Sequence, residues 1–205
     1  MSESTSAGMA VNFGDADEKR VTEGGGGIPP IENVLCEVVG AEFRPFAGGA
    51  GMYMNYGLKV AEGEFAGKMA GYDKLFFHTE GSRSRALFVL RRLGIQFTDA
   101  QLAGEEQFNV RCEDINGRFA RVTTEYEIRC NGGNCYGGAK QVATTDDGTP
   151  VYACTGDKNS EPCEWRGTDP KRWTKPTYSG YEFADPESIP AEAKTESEDL
   201  KSVPF

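Results

Sequence analysis

Residues 69–94 read MAGYDKLFFHTEGSRSRALFVLRRLG, and the change of period within them decides the fold. Side chains alternate along MAGYDKLFFHT (69–79), with Leu75 and Phe77 on one face of a strand and Tyr72, Lys74, Phe76 and His78 on the other. In RSRALFVLRRLG (83–94), Ala86, Leu87, Val89, Leu90 and Leu93 recur at helical spacing. Ser82 or Ser84 supplies an N-cap and Gly94 a natural stop. A strand therefore runs into a helix.

Two strands precede this unit. NVLCEVVGAEFRPF (33–46) is rich in β-branched and apolar residues, AGGAG (47–51) is a turn, and MYMNYGLKV (52–60) alternates again. In the last of these Met54, Tyr56, Leu58 and Val60 point inward, leaving Tyr53, Asn55 and Lys59 outside. After the helix, Thr98 can cap a short helical piece through Ala103, and QFNVRCEDI (107–115) returns to strand texture. Asn116-Gly117 then joins it to RFARVTTEYEI (118–128), and Asn-Gly between two alternating runs is a strong hairpin signal. The order β-β-β-α-β-β is that of the OB-fold, a five-stranded all-β barrel with one helix between its third and fourth strands. Other small barrels and an α+β meander share the order.

The flanks divide the chain further. Residues 1–30, with Gly24 to Gly27 and Pro29-Pro30, read as a flexible N-terminal arm before a barrel core at 31–129. Residues 130–167 are polar and glycine-dense. Residues 168–183, with Trp173, Tyr178, Tyr181 and Phe183, read as a segment packing back on the core. Residues 184–205 are acidic, lack any hydrophobic period and read as a disordered tail.

Within 130–167, Cys130 and Cys135 form a C-x4-C pair, and Cys154 and Cys163 a C-x8-C pair. No secretory signal is evident, so the chain is expected in the cytoplasm, where clustered thiols favour metal ligation over disulfides. Four thiolates suit one structural Zn²⁺ in a zinc-ribbon-like module, and glycines around the first pair suit turns whose amides point at sulfur. A piece so poor in apolar residues needs such a staple. The competing reading is four free or redox-active thiols in a loop. Cys36 and Cys112 fall at apolar strand positions and read as core thiols.

Catalysis finds no support in the sequence. His78 is the one histidine, and neither G-x-S-x-G nor H-E-x-x-H occurs, so the chain reads as a non-enzyme. No apolar run is long enough for a transmembrane helix. What stands out is a strand face mixing aromatic and basic groups, the combination that binds single-stranded nucleic acid. The candidate residues are Tyr53, Lys59, Tyr72, Lys74, Phe76 and His78, with Arg83 and Arg85 at the strand-to-helix turn and Arg111, Arg118 and Arg121 on the closing strands. The formal net charge of −10 excludes a uniformly basic coat. Residues 1–30 hold −3 of it and residues 180–205 hold −5, so the barrel is nearly neutral and can carry a local cationic groove.

Two resemblances follow from quoted residues. VNFGD (11–15), LKVAEGEFAGKMAGYDKLFF (58–77) and RALFVLRRLGI (85–95) resemble phage-encoded single-stranded DNA-binding proteins, over residues 11 to 128. The cysteine module lies outside that pattern and reads as an addition. Glu196, Glu198 and Asp199, followed by Val203, Pro204 and Phe205, resemble the acidic tip of bacterial single-stranded DNA-binding proteins, here interrupted by Leu200 to Ser202. The resemblance implies binding of single-stranded DNA in phage replication or recombination, in the host cytoplasm. Glu198, Asp199, Val203, Pro204 and Phe205 would then recruit replication or recombination proteins, and a homo-oligomer is compatible with it. The alternative is a non-catalytic scaffold using barrel and ribbon for protein contacts.

Overall fold

The computed structural model describes residues 28–46, 49, 51–132, 135, 137–158 and 161–189. Three strands open the fold: β1 (Val34–Pro45), β2 (Met52–Val60) and β3 (Met69–Phe76). Helix α1 (Glu80–Arg92) follows, then two short helices, α2 (Asp99–Ala103) and α3 (Cys112–Ile115), and strand β4 (Phe119–Arg129). The cysteine-bearing stretch contributes β5 (Ala139–Thr144), β6 (Pro150–Cys154), β7 (Asp157–Lys158), β8 (Glu161–Pro162) and β9 (Arg166–Gly167). Strand β10 (Lys171–Phe183) closes the order. The main sheet is antiparallel and runs β10-β4-β1-β2-β3. Smaller sheets are formed by β5-β6-β9 and β7-β8.

Alternation on β2 sets the core. Met54, Tyr56, Leu58 and Val60 are buried, as the sequence pattern requires, and pack with Cys36 and Val38 of β1, Leu75 of β3 and Val122 of β4. Helix α1 covers this layer with Ala86, Val89 and Leu90, and its C-cap residue Leu93 joins them. Burial pushes the Cys36 thiol up to about 12, so it is an inert core group.

Five boundaries differ from the sequence reading. Helix α1 starts at Glu80, three residues before the expected Arg83, because Thr79 and Ser82 form a reciprocal capping box: the Ser82 amide donates to Thr79 Oγ1 and the Thr79 amide to Ser82 Oγ. Residues 107–115 do not form a strand. Both edges of β4 are already taken, by β1 and β10, so this run has no ladder to join, and Phe108 and Val110 pack at the margin of the core. Asn116 accordingly makes no hairpin; its Oδ1 accepts from the Ala41 amide beside the β1 bulge, and the Gly117 amide donates to the Val38 carbonyl. The fifth strand is β10, at residues 171–183, paired from Lys171↔Arg129 to Phe183↔Ala120. At the flanks, Ile28 is already buried in the core and the Ile31 amide donates to Thr124 Oγ1 at 3.0 Å. Ala184 is also buried, and a 3-10 turn over Pro186–Ser188 is capped by Asp185. No helix of the described residues is long and apolar enough to cross a membrane.

Strands β3 and β10 lie at opposite edges of the sheet order yet meet. A side chain added at Gly71, whose φ is +149°, would come within 2.5 Å of the Thr174 carbonyl oxygen. Further along, Tyr181 Oη donates to Asp73 Oδ2 at 2.7 Å and Tyr56 Oη donates to the same oxygen at 3.0 Å, with the two hydroxyls 2.8 Å apart. Arg85 Nη2 completes the group at 2.8 Å from Asp73 Oδ2, with both side chains largely buried. Arg85 is therefore turned into the fold rather than toward a ligand.

Asp73→Ala leaves a buried guanidinium without its partner and is expected to cost about 3–5 kcal/mol, read by urea unfolding. Tyr181→Phe removes one donor and costs about 1–2 kcal/mol. Burial, with the charge of Asp73 added, raises the Tyr56 hydroxyl well above 10.0, and burial raises Tyr181 likewise. A raised acid favours the folded state below its unfolded value, so this stability is complete at neutral pH and is lost as pH climbs above 10.0. The alkaline fall in unfolding free energy should be shallower in Tyr181→Phe than in the parent.

Candidate nucleic-acid interface and metal centre

The register that buries Met54 and Leu75 puts their neighbours on the outer face. Tyr53 pairs with Phe76, Asn55 with Lys74 and Gly57 with Tyr72 across β2 and β3. Phe46, just past β1, joins this row: its ring centroid lies 5.8 Å from Tyr53, 5.9 Å from Phe76 and 5.0 Å from His78. Tyr53 and Phe76 are themselves 5.4 Å apart, and Lys74 Nζ sits 5.4 Å from the Tyr53 centroid. Arg44 pairs with Tyr53 in the β1–β2 register and forms an ion pair with Glu42. Tyr72, 62% exposed, extends the row along β3. Three aromatic rings and an imidazole thus cluster at the surface with two cationic side chains beside them.

Of the residues singled out in the sequence, Tyr53, Lys74, Phe76 and His78 come together, with Tyr72 and Lys59 on the same face. Arg85, Arg111, Arg118 and Arg121 are engaged elsewhere. Arg83 donates to the Phe77 carbonyl at 3.4 Å, and Arg85 is held by Asp73. Arg111 pairs with Asp114 at 2.7 Å, Arg118 donates to the Asp114 carbonyl at 3.0 Å, and Arg121 pairs with Glu62 at 2.9 Å. These guanidiniums hold loops and strand ends together. Sequence reasoning missed Phe46 and Arg44, whose signal was R-P-F placed directly before a glycine turn, where side chains project beside the next strand. Glu198, Asp199, Val203, Pro204 and Phe205 lie outside the described residues.

The second site is built by the excursion between β4 and β10. The sulfurs of Cys130, Cys135, Cys154 and Cys163 all lie within 4.8 Å of one another, and the four are free thiols, not disulfides. Cys130 and Cys163 are 3.7 Å apart, and Cys135 and Cys154 are 3.5 Å apart. Three of the cysteines share a C-x-G sequence whose glycine amide donates to sulfur: Gly132 to Cys130 at 3.2 Å, Gly137 to Cys135 at 3.4 Å and Gly156 to Cys154 at 3.3 Å. The turns also pack tightly, since a side chain at Gly156 would come within 2.7 Å of the Gly137 Cα. Burial pushes the Cys130 thiol up to about 12, whereas the Gly137 amide lowers Cys135. A bound cation would favour thiolates and so oppose the effect of burial at Cys130. The donor set therefore fits a tetrahedral metal ion.

No family model matches the chain, and the comparisons with characterised proteins and with solved structures find no match.

Metal content by mass spectrometry should read one ion per chain in the parent and a background level in Cys135→Ser. The variant should also melt at a lower temperature, because the excursion then loses its staple. Acidification should release the ion, since protons compete for all four thiolates.

Proposed function

We propose that this chain binds single-stranded DNA on the outer face of β2 and β3, acting as an OB-type protein in phage DNA replication or recombination. The observation that carries the reading is the surface cluster of Phe46, Tyr53, Phe76 and His78 with Lys74 over the Tyr53 ring. Rings of this kind stack on bases, and every base offers a π-face, so binding is tolerant of sequence. Lys74, and Arg44 once it exchanges Glu42 for a phosphate, meet the phosphates between stacked bases, which ties affinity to ionic strength. The barrel reading is supported by the strand order, by the helix between the third and fourth strands, and by the approach of Gly71 to Thr174 that brings the edge strands together.

Zn²⁺ is the metal proposed for the four cysteines. With four thiolates bound it keeps no open position, so its role is to fold the module rather than to activate water or substrate. The acidic stretch at 184–205, tethered to the barrel, would compete with DNA for the cationic groove and, through its Val203-Pro204-Phe205 tip, engage replication or recombination proteins.

Fluorescence anisotropy with labelled oligothymidine and with a duplex of equal length, across a salt series, tests the reading. The expected result is a preference for the single strand that weakens as salt rises. Phe76→Ala should weaken oligothymidine binding by roughly fivefold to a hundredfold, the range for one lost stacking ring. Equal affinity for duplex, or no binding at low salt, would overturn it; the latter would favour a protein-binding scaffold.

A further inference from the structure

Strand β10 carries an aromatic and cationic station that the β2–β3 face does not include. Thr124 and Pro176 are buried register partners, so the alternating positions Glu125/Lys175 and Glu127/Trp173 face outward. Trp173 is 51% exposed, and the Arg129 guanidinium lies 5.5 Å from the centroid of its ring. Arg129 is itself oriented by Glu127 at 2.6 Å, and Lys175 sits 3.8 Å from the same carboxylate. Lys171 and Arg172, at the start of the strand, are exposed. About half of the indole is thus open on the strand, backed by a guanidinium and flanked by Lys171, Arg172 and Lys175.

Its place in the fold connects it to the first face. Gly71, next to Tyr72, lies against the Thr174 carbonyl, and Thr174 follows Trp173 in the chain. The outer surface therefore continues from the Phe46–Tyr53–Phe76 cluster along Tyr72 and across the β3–β10 approach to Trp173. Phe76 and Tyr72 are separated by four residues of strand, about 13 Å, which is more than one base step. The root of the cysteine excursion bounds the far end, because Arg129 and Lys171 are the register pair from which it leaves and to which it returns.

We infer that Trp173, backed by Arg129, is a second base-stacking station for single-stranded DNA, engaged only when the strand is long enough to reach it from the Phe46–Tyr53–Phe76 cluster. The inference rests on the proposed function.

Full-length protein is tested with oligothymidines of about four and about twelve nucleotides, lengths within the site sizes of single OB-folds. Trp173→Ala should weaken binding of the longer strand by roughly fivefold to a hundredfold while leaving the shorter within about twofold. Phe76→Ala should weaken both. Tryptophan fluorescence should be quenched by the longer strand in the parent and not in Trp173→Phe, where Trp165 is the remaining indole. Equal affinities of parent and Trp173→Ala for the longer strand, or quenching that persists in Trp173→Phe, overturn the inference and leave the proposed function standing if Phe76→Ala still loses affinity. Failure of the parent to bind either strand overturns both.

Discussion

The carboxylate of Asp73 is the point on which the main sheet depends. It accepts from Tyr56 of β2 and Tyr181 of β10 and pairs with Arg85 of α1, so one side chain joins two strands and the covering helix to its own strand. Tyr181 and Asp73 are 108 residues apart in the chain. A contact of such separation is entropically costly to bring together, and a buried charge repays it only when fully hydrogen-bonded. Here it is: Asp73 Oδ1 also accepts from the Lys74 amide at 2.7 Å, and no buried side-chain nitrogen or oxygen among the described residues lacks a partner. A buried charge with one geometry that satisfies it selects a single arrangement of the two edge strands.

The same constraint governs the outer face. Side chains on a strand alternate, so holding Asp73 and Leu75 inside obliges Tyr72, Lys74 and Phe76 to point out. A slip of one residue would bury Lys74 and expose the carboxylate, reversing both surfaces at once. The aromatic row is thus a consequence of the core register, and Phe46 is added to it by the turn that follows β1. That turn is tight: its backbone closes through the Phe46 amide on the Gly51 carbonyl at 3.0 Å, and Gly51 has a φ of +112°. A side chain added at Gly51 would come within 2.9 Å of the Phe46 ring and displace the group that organises the cluster.

How much of this could be read in the sequence follows from the range of each interaction. The alternation of β2 and β3 and the inward set Met54, Tyr56, Leu58 and Val60 were legible because period and polarity are local. The four-cysteine cluster was legible because thiols spaced in two turns have few other uses. Arg85 was misread for the opposite reason: nothing near it in the chain announces that Asp73, twelve residues earlier, faces the same interior. Residues 107–115 have strand composition, but a strand needs an edge, and the edge of β4 was taken by a segment beginning at Lys171. That substitution is invisible without the pairing, since sequential neighbours are the usual partners and here the partner lies beyond an inserted module.

The insertion itself has a physical logic. Strands β4 and β10 pair at Arg129↔Lys171, so everything from Cys130 to Pro170 is a closed excursion anchored at one register pair. Closing a loop of this length costs only slightly more entropy than closing one half as long, because the penalty grows with the logarithm of length. What a long polar loop lacks is internal cohesion, and this one has few buried apolar groups beyond Cys130 and Cys135 among its described residues. A metal ion held by the four sulfurs, which lie within 4.8 Å of one another with glycine amides directed at three of them, would supply it. The Cys130 amide also donates to the Gly137 carbonyl at 2.9 Å, and Arg129 bridges to Gly138, so the first knuckle is continuous with the end of β4. The sulfur cluster is thus joined by backbone hydrogen bonds to the end of β4, where the ladder with β10 begins.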